Sequence, residues 1–265
     1  MTPSVFRRDL LENKVAFVTG GGSGICRGIA RAFMLHGANT AIVGRKADRL
    51  TAAADALAAE TSRACLAAPC DVRDPKTVES AIRATLDRFG RIDIVVNGAA
   101  GNFLAPAAAL SPNGFRTVLD IDAAGTFNVC RAAFDAYLRD HGGVILNISA
   151  TLHYAATPLQ IHASAAKAAV DSITRTLAVE WGPLGVRVAG IAPGPIDDTE
   201  GMSRLAPGPA KDRMIETIPI RRFGKIDEIA DLAVFMCSEA GALIHGETVV
   251  ADGGAWMGLS PKMME

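Results

Sequence analysis

Residues 15–35 read VAFVTGGGSGICRGIARAFML, and this stretch decides the fold. Its first five residues are apolar or β-branched, which predicts a buried strand, and residues 24–35 carry apolar side chains at helical spacing. The glycines at residues 20–24 therefore lie in a turn between a strand and a helix N-terminus. Such a turn lets the backbone approach a pyrophosphate group at the helix N-terminus. A tight turn without a ligand is the alternative interpretation.

Short apolar runs alternate with segments of helical period along the whole chain. We predict strands at residues 15–19, 40–43, 64–68, 92–96, 144–148, 186–191 and 248–250. We predict helices at residues 24–35, 47–59, 75–88, 112–139, 163–180 and 226–238. This alternation is typical of repeated βαβ units. It predicts an α/β fold with a Rossmann-type, doubly wound parallel sheet of about seven strands.

No linker, charge block or internal repeat divides the 265 residues, so we expect a single domain over residues 1–265. Residues 194–220 are the least patterned stretch, contain several Pro and Gly residues, and follow a predicted strand. We predict that they form a mobile lid over a pocket that binds the substrate.

The composition excludes several classes of protein. The chain is 49% hydrophobic and 21% charged with a net charge of −1, which favours a soluble globular protein and gives no reason to expect nucleic acid as a partner. The five cysteines show neither a CxxC pair nor metal-ligand spacing, so we expect free thiols and no metal.

The ends of the chain bear on its location. Residues 1–14 lack the apolar core of a signal peptide, and no apolar run is long enough to span a membrane. The final residues, Lys-Met-Met-Glu, do not match the C-terminal peroxisomal targeting signal. We therefore expect a soluble intracellular protein in the cytoplasm, with the peroxisome as the alternative.

The end of the second predicted strand carries two cations, Arg45 and Lys46. An acidic residue there would bind the ribose 2′-hydroxyl of NAD, whereas a guanidinium can bind the 2′-phosphate of NADP(H) with paired hydrogen bonds. Arg27, early in the first helix, adds a third cation. The alternative is that Arg45 and Lys46 are solvated loop charges.

Five motifs occur in order along the chain: Thr19-Gly20-xxx-Gly24, Asp71-Val72, Asn97-Gly98-Ala99-Ala100-Gly101, Pro193-Gly194-Pro195-Ile196 and Asp252-Gly253-Gly254. Together they resemble the motifs of short-chain dehydrogenases/reductases over almost the full length. The resemblance implies that the aspartate of the second motif binds the adenine amine. The asparagine motif would line the adenine ribose, and residues 193–196 would flank the nicotinamide.

With the two cations, the resemblance assigns the NADP(H) site to these residues: Gly20, Gly22, Ser23, Gly24, Ile25, Arg45, Lys46, Asp71, Val72, Asn97, Ala99, Lys167, Pro193, Gly194 and Ile196. One residue departs from the family's pattern. The third glycine of the fingerprint, which allows close packing of helix against strand, is Cys26 here. Cysteine is small and apolar, so we expect cofactor binding to persist with a changed affinity.

The family's catalytic residues are a tyrosine four residues before a lysine, and a serine about thirteen residues upstream of that tyrosine. Of these the chain keeps Lys167, while Ala163 and Ala150 occupy the tyrosine and serine positions. Neither alanine can donate a proton. We expect Lys167 to hold the nicotinamide ribose hydroxyls, and we expect Ala163 to leave room beside it for a water molecule or a substrate.

Two carboxylates are candidate partners of Lys167. Asp171 lies four residues after it on the same helical face. Asp122 occupies the position of the asparagine in the family's D-x-N-x-x-G-type run, and a carboxylate with an ammonium could polarise a water molecule. The alternatives are an exposed ion pair for Asp171, and a helix cap or a surface carboxylate for Asp122.

The missing tyrosine and serine disfavour ketone reduction, because an alkoxide needs a proton from a nearby donor. Hydride addition to a conjugated thioester leaves a dienolate whose charge spreads to the thioester oxygen, so hydrogen bonds and a later proton suffice. Residues 97–103, 177–182 and 251–256 resemble those of 2,4-dienoyl-CoA reductases, particularly the peroxisomal type. That branch also lacks the tyrosine and is thought to use an aspartate with the lysine.

The resemblance therefore implies NADPH-dependent reduction of 2,4-dienoyl-CoA thioesters to 3-enoyl-CoA in unsaturated fatty acid β-oxidation. Lys167 and Asp171 would be catalytic together with Asp122, and Asn102 and Phe103 would face an acyl-CoA substrate. The alternatives are another reductase of the family that acts on an acyl-CoA or carbonyl substrate, and a non-catalytic NADPH-binding protein. By the same likeness we expect a homo-oligomer, a tetramer or a dimer, formed by the helices at residues 112–139 and 163–180.

Three further side chains flank the predicted catalytic helix. Tyr154 is a rival proton donor, since mitochondrial-type dienoyl reductases have a tyrosine in this loop, although at the position of Leu152. We interpret His153 and His162 as loop histidines because the sequence names no fixed partner for either.

Overall fold

The protein is built on one sheet of seven parallel strands, in the order β3-β2-β1-β4-β5-β6-β7. A computed structural model describes residues 6–197, 199, 201–202 and 208–258. The strands are β1 (Val15–Thr19), β2 (Asn39–Gly44), β3 (Cys65–Pro69), β4 (Ile94–Asn97), β5 (Gly143–Ile148), β6 (Val186–Pro193) and β7 (Thr248–Ala251). The predicted fold class is confirmed, and the observed strand ends lie within about two residues of those predicted.

Helices connect the strands and cover both faces of the sheet. They are α1 (Gly24–Leu35), α2 (Ala47–Thr61), α3 (Pro75–Phe89), α4 (Pro112–Leu119), α5 (Gly125–Ala133), α6 (Arg139–His141), α7 (Ile161–Trp181), α8 (Pro209–Thr217) and α9 (Ile226–Cys237). Two π-helical turns, Asp120–Ala124 and Phe134–Leu138, join α4 to α5 and α5 to α6. The uninterrupted helix predicted over residues 112–139 is therefore wrong in detail, because the backbone changes its hydrogen-bonding pattern twice.

The core has two halves, one on each face of the sheet. Successive side chains of a strand point to opposite faces, so Ala16 and Val18 pack in one cluster while Phe17 packs in the other. Side chains of α1, α2 and α9 complete the first cluster, and side chains of α3, α5 and α7 complete the second. Burial on both faces explains why the strands are continuous apolar runs.

The strand order reverses at β1, which pairs with β2 on one side and with β4 on the other. Ligands of doubly wound sheets bind in the crevice outside the carboxyl ends of the strands at such a reversal. The glycine turn of residues 20–24 follows β1 directly, so the topology places it at this crevice.

Residues 194–220 hold more regular structure than the sequence predicts. They include α8, whose Lys211 Nζ lies 2.6 Å from Asp197 Oδ1, and Ile196 forms a β-bridge with Gly224. Residues 198, 200 and 203–207 lie outside the described residues. That this segment is a mobile lid stays a prediction.

Candidate functional site

A cavity of about 350 Å³ lies at the carboxyl ends of β1 to β4. It brings together eight of the residues predicted to bind the cofactor: Gly20, Gly22, Ser23, Arg45, Lys46, Asp71, Val72 and Ala99. These residues come from four separate segments of the chain, which meet because the strands are parallel and neighbouring.

The glycine turn is shaped by one close approach of two backbone segments. Gly20 has a φ of +70°, and a Cβ there would lie 2.8 Å from the carbonyl oxygen of Gly98, so a larger residue would strain the turn. Ser23 precedes α1 as its N-cap, yet its side chain makes no capping hydrogen bond. The hydroxyl and the first N–H groups of α1 thus suit an anion.

One wall of the cavity is cationic. Arg45 and Lys46 line it, and its third cation is Arg49, which sequence reasoning missed, whereas Arg27, which the sequence suggests as the third cation, is not among its lining residues. Arg49 lies in the first turn of α2, three residues after the N-cap Lys46, and this closeness in the chain could have identified it. This wall suits the 2′-phosphate of NADP(H).

Asp71 also lines the cavity, but its carboxylate is already paired. Arg73 Nη2 lies 2.5 Å from Asp71 Oδ2, and Arg73 Nε donates to Oδ1 at 3.0 Å. These hydrogen bonds chiefly, with a smaller Coulombic contribution from Arg45, lower the pKa of the Asp71 carboxyl. An adenine amine would therefore share an ionised group with Arg73.

Asn97 ends β4, and its predicted place beside the adenine ribose stays a prediction. Its side chain is buried and donates from Nδ2 to Asn147 Oδ1 at 2.9 Å and to Cys130 Sγ at 3.1 Å. It binds β4 to its neighbour β5 inside the protein and does not line the cavity. The following residues Ala99 and Ala100 do line it, because they leave the strand.

The remaining predicted cofactor residues lie beyond this cavity. Gly24 and Ile25 begin α1, and Pro193 and Gly194 lie at the carboxyl end of β6. Ile196 lines a second cavity of about 420 Å³, whose other walls include Gly224, Gly253, Trp256 and Met257. Their predicted place beside a nicotinamide stays a prediction.

Lys167 and Asp122 form a buried ion pair. Lys167 Nζ lies 3.1 Å from Asp122 Oδ2 and donates a hydrogen bond to the carbonyl oxygen of Ile148 at 3.0 Å. The other oxygen of the carboxylate, Asp122 Oδ1, accepts a hydrogen bond from the backbone N–H of Gly101 at 2.7 Å. Asp122 is 1% exposed and lies in the first π-helical turn. The alternatives that Asp122 is a surface carboxylate or a helix cap are therefore wrong, because its side chain is buried and bound to Lys167 and Gly101. An ammonium has three N–H groups, so Lys167 keeps one for a ligand.

Ala163 lies one helical turn before Lys167 on α7, and the room that the sequence suggests beside it stays a prediction. Ala163 is 2% exposed and packs in an apolar cluster with Val118 and Ala166, against which Leu152 is also packed.

Asp171 is buried as well, but it faces other partners than Lys167. His153 Nε2 lies 2.7 Å from Asp171 Oδ2, the Tyr154 hydroxyl donates to the same oxygen at 3.1 Å, and Thr248 Oγ1 donates to Oδ1 at 3.2 Å. The alternative of an exposed pair between Lys167 and Asp171 is wrong. So is the interpretation of His153 as a histidine without a fixed partner.

The two residues predicted to face substrate lie next to the start of α7. Asn102 Nδ2 donates to Gln160 Oε1 at 2.6 Å, and Phe103 stacks on His162 with ring centroids 4.3 Å apart. The Phe103 ring is 41% exposed, whereas His162 is fully buried and neither ring nitrogen has a partner among the described residues. That Asn102 and Phe103 face the substrate stays a prediction.

Cys26 fits the fingerprint because a second glycine makes space for it. A Cβ at Gly98 would collide with Cys26 Sγ, so the thiol fills the volume that Gly98 leaves. Burial raises the pKa of the Cys26 thiol to about 12, although the charge of Lys167 opposes this rise. Cys26 is therefore a neutral packing residue.

Comparison with known proteins gives concordant matches. A family model described as enoyl-(acyl carrier protein) reductase matches residues 20–255. The peroxisomal 2,4-dienoyl-CoA reductase, (3E)-enoyl-CoA-producing, of Pongo abelii is 51% identical over 254 residues, covering 96% of this chain and 87% of the relative. The Arabidopsis thaliana protein of the same name is 48% identical over 264 residues, covering 96% and 88%.

A solved structure of a short chain dehydrogenase has a similar fold. The short chain dehydrogenase from Bacillus anthracis superposes with a TM-score of 0.83 at 38% identity, covering 92% of this chain and 97% of that one. The chain therefore belongs to the short-chain dehydrogenase/reductase family. Among the described residues, no helix has both the length and the apolar character to cross a membrane, and no group of side chains could hold a metal ion.

Proposed function

We propose that this protein is an NADPH-dependent 2,4-dienoyl-CoA reductase that forms 3-enoyl-CoA in the β-oxidation of unsaturated fatty acids. The buried contact between Lys167 and Asp122 carries this proposal, because it sits where the family's tyrosine and serine are both replaced by alanine. Two relatives with about half of their residues identical are named for this reaction, which supports the choice of substrate class.

The cavity at the carboxyl ends of β1 to β4 suits NADPH. Its glycine turn and the N-terminus of α1 would hold the pyrophosphate, and Arg45, Lys46 and Arg49 would surround the 2′-phosphate. The cofactor, when bound, supplies a hydride to the far end of the conjugated acyl group. A 2′-phosphate also explains why no acidic residue stands at the end of β2.

The chemistry left to the protein is the stabilisation and protonation of a dienolate. Lys167 places its charge near the reacting end of the site and would donate its remaining N–H to a ribose hydroxyl. With Asp122 it would orient the water molecule that protonates the dienolate. No alkoxide forms in this reaction, so the alanines at residues 150 and 163 do not prevent it.

The direct test is NADPH oxidation with 2,4-hexadienoyl-CoA, beside a β-ketoacyl-CoA as control, with the product identified by chromatography. We expect turnover of the dienoyl thioester to a 3-enoyl-CoA and little turnover of the ketone. Absence of dienoyl turnover would refute the proposal. NADPH binding without turnover of either thioester would instead indicate a non-catalytic NADPH-binding protein.

The catalytic pair is tested by substitution. Lys167→Ala and Asp122→Asn should each lower kcat by roughly 10²-fold or more, the usual contribution of a positioned acid or base. Asp120→Asn is the matched control, since Asp120 lies two residues away in the same π-helical turn but is exposed. If Asp122→Asn kept full activity, the carboxylate would have no part in the reaction.

We also infer that the protein is a homo-oligomer. Phe127 on α5 is 48% exposed and Val179 on α7 is 79% exposed. Both helices cover the same face of the sheet, so apolar side chains on their outer sides suit a surface between copies of the chain.

A further inference from the structure

The buried carboxylate of Asp171 accepts hydrogen bonds from three side chains. The shortest comes from His153, whose Nε2 lies 2.7 Å from Asp171 Oδ2, and the Tyr154 hydroxyl donates to the same oxygen at 3.1 Å. Thr248 Oγ1 donates to Oδ1 at 3.2 Å. Because Asp171 is 2% exposed, these side chains supply hydrogen bonds that water gives to an exposed carboxylate.

The surroundings of the His153 ring indicate which of its nitrogens carries the hydrogen. An ionised carboxylate only accepts hydrogen bonds, so the nitrogen that faces Asp171, Nε2, must donate. The other nitrogen, Nδ1, is buried and has no hydrogen-bond partner among the residues that the structure describes. A ring with its single hydrogen on Nε2 meets both conditions, because Nδ1 then has no hydrogen in need of an acceptor. His153 is therefore a donor to Asp171.

This hydrogen bond joins the candidate catalytic helix to the part of the chain that precedes it. Asp171 lies one turn after Lys167 on α7, and both side chains are buried. His153 lies in residues 149–160, which connect β5 to α7. Ala150, at the position of the family's serine, belongs to the same connection. The connection that lacks the serine thus supplies a histidine to the helix of Lys167.

A carboxylate that takes part in proton transfer needs a fixed orientation. Each turnover of the proposed reaction adds one hydride and one proton to the acyl group, and the proton comes from solvent. The resemblance assigns Asp171 to this proton transfer together with Lys167. Small displacements of a reacting group lower the rate steeply, so the donors that hold the carboxylate matter to the reaction. The short hydrogen bond from His153 provides such a constraint.

We propose that His153 is a positioning residue, which acts through Asp171 by holding its carboxylate in the orientation that proton transfer requires. The inference deepens the proposed function and rests on it, and it rests also on the part that the resemblance gives to Asp171. It assigns a role in the reaction to a side chain that the sequence alone indicates as a loop histidine.

Tyr154 is the second donor to the same oxygen, and its hydrogen bond is the longer of the two. Burial first, and then the charge of Asp171, raise the pKa of the Tyr154 hydroxyl to about 12, with Glu247 acting in the same direction and Arg175 against it. The hydroxyl therefore keeps its hydrogen in the neutral range. The ring also packs edge to face against Trp256, with centroids 5.6 Å apart. Tyr154→Phe is thus a matched comparison, because it removes one donor and keeps the ring.

The kinetic test compares His153→Phe, which keeps a ring but has no donor, with His153→Gln, whose amide N–H can replace Nε2–H. We expect His153→Phe to lower kcat for 2,4-hexadienoyl-CoA by about tenfold or more and to change the KM less than about threefold. His153→Gln and Tyr154→Phe should each keep kcat within about threefold of the unmodified enzyme. His141→Gln is the control, since His141 is exposed on α6.

Two further results show whether the effect runs through Asp171. In His153→Phe the ratio of kcat in H₂O to kcat in D₂O should rise, because proton transfer becomes slower relative to the other steps. Asp171→Asn should itself lower kcat at least as far, and adding His153→Phe to it should lower kcat little further. An unchanged kcat in His153→Phe would overturn the proposal. So would a His153→Gln enzyme as slow as His153→Phe, an unchanged isotope ratio, or additive losses in the double variant.

A measurement on the unmodified protein depends neither on turnover nor on the folding of a variant. Nuclear magnetic resonance of isotope-labelled histidine rings should show that His153 carries its hydrogen on Nε2 and that this hydrogen exchanges slowly with solvent. A ring with its hydrogen on Nδ1 alone could not donate to Asp171 and would overturn the proposal. Failure of the proposed function would show separately, as an unmodified protein that has this Nε2–H signal but does not reduce dienoyl-CoA.

Discussion

At the scale of residues, we expect the choice between NADPH and NADH to depend on two side chains at the end of β2. Arg45 and Lys46 line the cavity where a ribose 2′-substituent would lie. Losing a hydrogen bond to a charged group costs about 1.5–3 kcal/mol, so Arg45→Ala with Lys46→Ala should raise the KM for NADPH by roughly ten- to hundredfold. The KM for NADH should change little, because NADH lacks the 2′-phosphate.

Steady-state kinetics with both cofactors check this expectation. Arg83→Ala is a suitable control, since Arg83 is an exposed cation on α3 outside the cavity. A preference of the unmodified enzyme for NADH would contradict the role given to the two cations. So would an unchanged ratio of the two KM values in the double variant.

Some site residues could be predicted from the sequence and others could not. Arg45 and Asp122 could be identified from the sequence because each occupies a defined position in a local motif, Arg45 at a strand end and Asp122 in a helical run. The partners of Asp171 were not, since His153 lies 18 residues away and Thr248 lies 77 residues away. Only the packing of β7 and of residues 149–160 against α7 brings His153 and Thr248 to the carboxylate of Asp171.

At the scale of elements, α1 packs against the turn that follows β4 through a matched pair of residues, Cys26 and Gly98. Cys26 Sγ fills the space beside Gly98. Gly98→Ala should therefore destabilise the cofactor-free protein by about 1–3 kcal/mol, as overpacking of a dense core usually does. Cys26→Ala with Gly98→Ala should recover much of that loss, because the thiol that collides with the new methyl group is gone.

Thermal or urea unfolding of the two single variants and the double variant gives the coupling free energy directly. Gly22→Ala is the control, because a Cβ at Gly22 would meet its nearest neighbour, Leu50, at an ordinary 3.4 Å. Additive changes in the free energy of unfolding would mean that Cys26 and Gly98 do not compete for the same space.

The elements themselves were predictable where hydrophobic period alone defines them. The strands and α1 agree closely, because a buried parallel strand is a continuous apolar run and α1 begins at its glycine turn. The π-helical turns at Asp120–Ala124 and Phe134–Leu138 carry no such signal. The first of them contains the buried Asp122, so the position of this candidate catalytic carboxylate depends on an irregularity that the 3.6-residue period hides.

For the whole molecule, we consider the outer sides of α5 and α7 as a contact surface between copies of the chain. The two helices bury their inner sides in the core cluster around Phe17, yet Phe127 and Val179 remain on their outer sides. Isolated apolar side chains on a surface are common. Two on helices that cover the same face of the sheet favour an interface, and the resemblance to the family leads us to expect pairing through these helices.

We therefore expect light scattering after size exclusion to give a mass of two or four chains for the unmodified protein. Val179→Glu should shift it toward the monomer, because a carboxylate buried at an apolar interface loses its hydration. Leu35→Glu is the matched control, since Leu35 is 39% exposed at the end of α1 and belongs to the other face of the sheet. A monomeric unmodified protein would contradict the interface outright. An oligomer that withstands Val179→Glu would place the contact on another surface of the molecule.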